Sequence, residues 1–477
     1  MNMRTVWLGL LSLGVFTLAG AVAAAAPRPN VLFLFSDDQR ADTIAALGNT
    51  HIQTPNLDRL VREGMAFTRN YYMGGWHGAV CAPSRAMLMS GRTFNRVKEN
   101  LAGVTTWPEQ FTKAGYATFI TGKWHNSPQA VTRIFPEGRA IFLGGMGNPM
   151  KLPLADISAD HQLVNKRFSG EHSVKLFADT TIEFLQRQKA EKPFLCYVAF
   201  NAPHDPRVAP KPYHGRYNTN QPPLPANFLP QHPFNNGELT VRDEQLAPWP
   251  RTPEIVRQHL ADYYAYITFM DDQIGRILEA LKAGGQYDNT IIVFSSDNGL
   301  ALGSHGLFGK QNLYDHSTHL PLIFAGPGLP KGKQTEAFSY LIDIFPTLGD
   351  VCGVPAPVGN EGLSLIPVMR GETSQVRDSI FTFYRNLQRA VRDDRWHLIV
   401  YPPINMAQLF DLQSDPSEMN DLAGDPAHAG EVTRLTALLR DWQRRLDDTL
   451  PLSTNKPGPL AFDFSKVKRA KNVTPTE

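Results

Sequence analysis

A chain of 477 residues exceeds the usual size of one hydrophobic core, so one large domain with a smaller companion is expected. With 42% hydrophobic residues, 10% aromatic residues and a formal charge of +2, it has an ordinary globular composition and no bias toward nucleic acid or membrane surfaces. Three cysteines are too few for a disulfide framework, and one must stay unpaired.

The chain begins Met1-Asn2-Met3-Arg4, continues in an apolar run over residues 6–22, and passes through Ala23 to Ala26 into Pro27. That is the pattern of a signal peptide over residues 1–26, and it predicts a periplasmic or secreted protein. No later apolar run is long enough to cross a bilayer, so no stable membrane insertion is expected.

Four short apolar runs share a layout. Residues 30–35 lead into Ser36-Asp37-Asp38, residues 116–120 into Thr121-Gly122-Lys123-Trp124-His125, residues 194–200 into Asn201-Ala202-Pro203-His204, and residues 290–295 into Ser296-Asp297-Asn298-Gly299. Such runs read as buried strands that end in reactive groups. Helical patterns over 55–63, 174–188 and 255–281 lie between them, which predicts a mostly parallel sheet covered on both faces. Ligands of such sheets bind beyond the carboxyl ends of the strands.

Residues 203–253, dense in Pro, Asn and His, read as a long surface loop. Beyond Gly371, strands over 380–384, 388–392, 396–401 and 408–412 and a helix over 431–446 predict a small α+β unit. The domain plan is therefore a catalytic domain over 27–372, a subdomain over 373–450 and a tail over 451–477. The tail, with Lys466, Lys468, Arg469 and Lys471, is expected to be loose and solvated.

Adjacent carboxylates at Asp37 and Asp38 repel each other unless a cation lies between them. With Asp297 and Asn298 they form an oxygen donor set of the kind Ca²⁺ or Mg²⁺ prefers, although Asp pairs at strand ends also cap helices. Lys123, Lys310, His125, His204 and the nearby His305, His316 and His319 add cations and titratable groups suited to an oxyanion and to proton transfer. Cys196, inside PFLCYVAF, reads as a buried structural thiol; Cys352 closes an expected helix, and a bond between the two is left open. Cys81, in CAPSRAMLMSGR, stands apart: a thiolate suits hard cations poorly, so this site calls for an oxygen in place of the sulfur.

CAPSRAMLMSGR resembles the signature of the type I sulfatases, in which the cysteine is oxidised to Cα-formylglycine during export. The similarity continues in order through PNVLFLFSDDQR, TPNLDRL, TGKWH, APHDP, YYAYITFMDDQIGRIL, FSSDNG, GKQNLYDHS and LFDLQSDPSEMNDLA. It implies an alkaline-phosphatase-like α/β fold, with a large mixed, mostly parallel sheet sandwiched by helices and a smaller C-terminal α+β subdomain on a short antiparallel sheet. It also implies a formylglycine-generating enzyme as a maturation partner and one Ca²⁺, with Mg²⁺ less favoured, held by Asp37, Asp38, Asp297, Asn298 and the oxidised Cys81. By the same resemblance Arg85 holds the formylglycine, Lys123 and Lys310 grip sulfate, and His125 and His204 are the catalytic histidines. A hydrated formylglycine would attack sulfur, His204 or Lys310 would protonate the leaving oxygen, and His125 would take the proton that restores the aldehyde.

The implied activity is hydrolysis of sulfate monoesters, with a sulfated carbohydrate as the expected substrate. A phosphonate monoester or phosphodiester hydrolase of the same superfamily is the alternative enzyme, and a non-catalytic glycan-binding homologue the alternative of another class. His77, His305 and His316 lie where substrate-facing residues are expected, and Trp76 either stacks on a sugar or packs in the core.

Overall fold

The computed structural model describes residue 1, residues 28–189 and residues 191–467. The expected signal peptide, Met1 apart, and the basic tail from Lys468 onward lie outside the described residues. No helix among the described residues is long and apolar enough to cross a membrane.

The core is an eleven-stranded mixed sheet. At its centre the strands Thr290–Ser296, Asn30–Asp37, Phe194–Pro203, Ala117–Lys123 and Glu137–Phe142 lie side by side in parallel. Their apolar runs alternate between two cores. Val31, Phe33 and Phe35 point to one face, with Trp107, Phe111 and Phe345, while Leu32 and Leu34 point to the other. Helices Ser173–Arg187 and Pro253–Ala283 cover that second face with Phe177, Phe184, Ile274 and Leu278. Each such fully buried side chain contributes about 2 kcal/mol. Thr252 caps the long helix by accepting from the Ile255 amide, and Pro253 starts it where no amide donor is needed.

All three cysteines are free. Cys196 packs in the core on one face of the sheet and Cys352 in the core on the other, so the sheet itself separates them and no bond between them forms.

A second sheet of five strands holds Ile380–Tyr384, Gln388–Arg392, Trp396–Tyr401 and Met406–Asp411, antiparallel in sequence order. Its fifth strand, Gly74–Gly75, comes from far upstream and pairs in parallel with Ile380–Tyr384. A Cβ on Gly74 would sit 1.7 Å from the Phe383 carbonyl oxygen, and the residue's φ is 123°, so only glycine fits. This two-residue strand ties the small sheet to the loop that leads into Cys81.

Residues 203–253 are more ordered than their composition predicts. They contain a helix, Lys211–Thr219, and a helical turn, Arg242–Leu246, and they bury Tyr217, Phe234, Leu239 and Glu244. The described part of the tail is docked rather than loose: Leu460 accepts from the Asn235 amide, and Phe464 packs 5.5 Å from Trp249.

Candidate active site

Because the central strands are parallel, their carboxyl ends lie along one edge. Asp37 ends one strand, Lys123 a second and Pro203 a third; His204 follows the third, and Asp297 and Asn298 follow Ser296 at the end of the fourth. Cys81 is the first residue of the helix Cys81–Ser90, all of whose residues are buried. The helix N-terminus thus turns its partial positive charge toward the strand ends, while its Ala82 and Ser84 amides bond the Ala79 and Val80 carbonyls.

Around the Cys81 sulfur the donors converge. Sγ lies 3.4 Å from Asp37 Oδ1, 3.5 Å from Asp38 Oδ1, 3.3 Å from Asn298 Oδ1 and 3.2 Å from Lys310 Nζ. Asp37, Asp38, Cys81 and Asp297 each offer a ligand atom within 4.8 Å of the others. Three buried cations face these three carboxylates: Lys123 donates to Asp37 at 2.6 Å, Lys310 to Asp38 at 2.5 Å, and Arg85 Nε to Asp297 at 3.0 Å. Arg85 Nη1 also donates to the Lys123 carbonyl, which locks the helix to a strand end.

The charges shape one another. Burial, with the neighbouring Asp297 and Asp38, raises the Asp37 carboxyl to about 6 even though Lys123 opposes the shift. Burial pushes Asp38 and Asp297 up as well, yet His204 and Lys310 hold Asp38 below its ordinary value, and Arg85 with Lys123 holds Asp297 below its own. Burial and then Asp297 push the Cys81 thiol well up, so as a thiol it stays protonated and a poor nucleophile.

The histidines take separate stations. His204 Nδ1 donates to the Asp205 carbonyl oxygen at 2.7 Å, and its Nε2 lies 3.6 Å from Asp38 Oδ2. His125 sits at a φ of 61° with Gly145 against its ring; a Cβ on Gly145 would meet Nε2 at 2.3 Å. Burial, with Lys123, Arg85 and Lys310 nearby, lowers the His125 pKa to about 2, so its ring is neutral.

Cys81, His125, His204 and Lys310 line one cavity of about 260 Å³ together with Gly78, Gly145, Met146, Val241, Arg242, Asp243 and Gln311. A larger groove of about 740 Å³ runs past Met73, Tyr340 and Trp442, away from the strand ends.

His305 and His316, expected to face substrate, are not in the wall of the cavity at Cys81. His305 stacks on Tyr314 with ring centres 3.9 Å apart and its Nε2 donates to the Glu418 carbonyl, while His316 bonds Ser317. Both are buried behind the loop that carries Lys310, because that loop folds its aromatic side chains inward. His77 is half exposed and paired with Glu99 at 2.6 Å, beside the cavity but not in its wall. Trp76 packs on Phe383 at 4.9 Å and is 39% exposed, so it is partly core and partly open.

Three cavity residues, and Asp205 beside them, gave no signal of their own. Arg242 and Asp243 lie in the Pro-rich stretch without periodicity, whereas Asp205 and Gln311 sit inside APHDP and GKQNLYDHS, where their neighbours could have pointed to them. Arg242 pairs with Asp205 through both terminal nitrogens and with Asp243 at 3.0 Å; Gln311 donates to Asp243 at 2.8 Å and to the Gly78 carbonyl at 2.9 Å.

The family model described as Sulfatase matches residues 29–354, and the one described as N-sulphoglucosamine sulphohydrolase, C-terminal, matches residues 303–445. The N-acetylglucosamine-6-O-sulfatase of Bacteroides thetaiotaomicron is 28% identical, across 94% of this chain and 92% of that relative. The arylsulfatase of Clostridium perfringens is 30% identical, across 86% of this chain and 94% of its own length. A solved structure described as a complex with its substrate D-glucosamine-2-N,6-O-disulfate superposes with a TM-score of 0.75 at 26% identity, covering 89% of this chain and 99% of that one. With the family model matching residues 29–354 and relatives covering most of the chain, the chain belongs to the sulfatase family: it is a sulfuric ester hydrolase of alkaline-phosphatase-like fold.

Proposed function

We propose that the protein is an exported hydrolase of O-sulfated carbohydrates, working through one Ca²⁺ and a formylglycine made from Cys81 by a formylglycine-generating enzyme. The observation that carries this reading is the ring of oxygen donors at 3.3 to 3.5 Å around Cys81 Sγ. Export rests on the segment 1–26 and on the redox logic of an unpaired signature cysteine.

The donor chemistry fits a hard divalent ion. Asp37, Asp38 and Asp297 offer carboxylate oxygens and Asn298 turns its Oδ1 to Cys81, and burial, with the neighbouring Asp297 and Asp38, raises the Asp37 carboxyl, a strain that a cation would relieve. When bound, the ion and the formylglycine supply an oxygen nucleophile at neutral pH and a counter-charge for the sulfate oxygens.

The chain's own groups do the rest. Three buried cations already balance the three carboxylates, so a bound divalent ion gives the pocket a positive surplus that attracts a sulfate ester. Lys123 and Lys310 present ammonium groups to sulfate oxygens, and Arg85 fixes residue 81 through its bonds to Asp297 and the Lys123 carbonyl. Lys310 Nζ, 3.2 Å from Sγ, and His204 Nε2 are placed to hold a proton at the leaving oxygen. His125, neutral in its buried niche, accepts the proton released from residue 81 at the end of the cycle.

A panel of sulfated mono- and oligosaccharides, assayed beside 4-nitrophenyl sulfate and phosphonate or phosphodiester analogues, tests this reading. Release of inorganic sulfate from a sugar ester is expected; a large preference for the phosphodiester would overturn it.

A further inference from the structure

The floor of the cavity accounts for sulfate but not for the alcohol that carries it. We propose that Arg242, Asp243 and Gln311 form the leaving-group recognition site, and that it takes a single neutral, polyhydroxylated sugar ring rather than a hexuronate. This rests on the carbohydrate sulfatase reading of the same cavity.

All three residues share the cavity wall with Cys81 and Lys310. They are held before any ligand arrives. The Arg242 guanidinium binds Asp205 through both terminal nitrogens and Asp243 Oδ1 through Nη1, and Asp205 is held well below the usual carboxylate range, where His204 and Arg242 outweigh its burial. Gln311 clamps Asp243 to the Gly78 carbonyl, and its own Oε1 accepts from the Lys310 amide at 3.0 Å. Recognition group and sulfate-gripping lysine are therefore adjacent in one hydrogen-bonded frame, which favours a fixed distance between sulfate and ring hydroxyls.

The charge balance selects the sugar. Arg242, the guanidinium in the cavity wall, is already committed to two carboxylates, Asp243 in the wall and Asp205 behind it. A uronate carboxylate there would compete with Asp205 and Asp243 for a guanidinium that is already paired, whereas ring hydroxyls donate to Asp243 and accept from Arg242, whose side chain is 40% exposed. Opposite in character, Met146 and Val241 supply an apolar patch suited to the C–H face of a pyranose. A cavity of about 260 Å³ lies below the usual range for drug-sized ligands and has room for one ring with its sulfate.

The test is a specificity ratio: kcat/KM for a panel of O-sulfated hexoses and N-acetylhexosamines divided by kcat/KM for 4-nitrophenyl sulfate, which lacks ring hydroxyls. Asp243→Asn and Arg242→Gln are each expected to lower this ratio by about tenfold or more for the best sugar. An unchanged ratio, including a proportional loss on both substrates, would overturn the proposal. Because either variant could misfold, the wild-type enzyme is also given matched hexuronate sulfates. A preference of about tenfold for the neutral sugars is expected, and equal or better turnover of the uronates would overturn the proposal without any mutant. Failure of the underlying reading looks different: the wild-type enzyme, with residue 81 converted, would hydrolyse the aryl ester but no sulfated sugar.

Discussion

The floor and the rim of the catalytic cavity are built on opposite plans. The floor consists of residues at the ends of four parallel strands, buried, charge-paired and braced by a ten-residue helix. The rim comes from the stretch over residues 203–253, from Gly78 and Ala79 just after the Gly74–Gly75 strand, from Gly145 and Met146, and from Gln311. Rigid strand ends suit chemistry that is the same for every sulfate ester, while loops and a borrowed strand can vary the alcohol without disturbing it. Breaking the floor should therefore abolish turnover, and breaking the rim should change what is turned over or how firmly the molecule holds together.

Removing the ion is the broadest test of the floor. Dialysis against a chelator is expected to abolish activity and lower the melting temperature, with Ca²⁺ restoring both better than Mg²⁺; full activity in metal-free enzyme would break the account of the donor ring. Next in size, Lys310→Ala should cost about 10²- to 10³-fold in kcat, since it removes a preorganised cation and leaves Asp38 short of a partner. Steady-state kinetics on the aryl ester reads this directly, and a loss confined to KM would mean that Lys310 only binds.

The rim's anchorage is tested by Gly74→Ala. The added methyl meets the Phe383 carbonyl at a left-handed φ, and a loss of about 3 kcal/mol is expected in denaturant unfolding. A loss no larger than that of a surface substitution would show that the borrowed strand is not needed.

The smallest expected effect is on pH dependence. The His125 pKa is lowered in the fold, so its contribution to stability is complete above the ordinary value near 6.5 and is lost as pH falls from there toward about 2. In His125→Gln the stability should fall less steeply with acid, by up to about 1.4 kcal/mol per pH unit below pH 6. Unfolding curves at pH 6 and pH 4 measure it, and identical slopes would place His125 in water.

The floor was legible because each strand is an apolar run that stops at a polar group, and because parallel pairing brings all such stops to one edge. The helix over 55–63 and the long helix near 255–281 were legible from the 3.6-residue spacing of their apolar positions. The rim was not. Arg242 and Asp243 follow no period, and a two-glycine strand carries no side-chain pattern at all. His305 and His316 misled because a histidine near a catalytic lysine in sequence can turn into the core, here onto Tyr314. The order within 203–253 was hidden for a related reason: its buried Phe234 packs on Tyr401 and its Glu244 accepts from the Phe308 and Gly309 amides, partners far away in sequence.

The central claim is that Cys81 is a precursor whose sulfur is discarded in favour of oxygen. Peptide mass analysis of active, wild-type enzyme purified from an exporting host measures this most directly. An aldehyde at position 81, in a fraction that tracks specific activity across preparations, is the expected result. Full activity with only intact cysteine at that position would contradict the account.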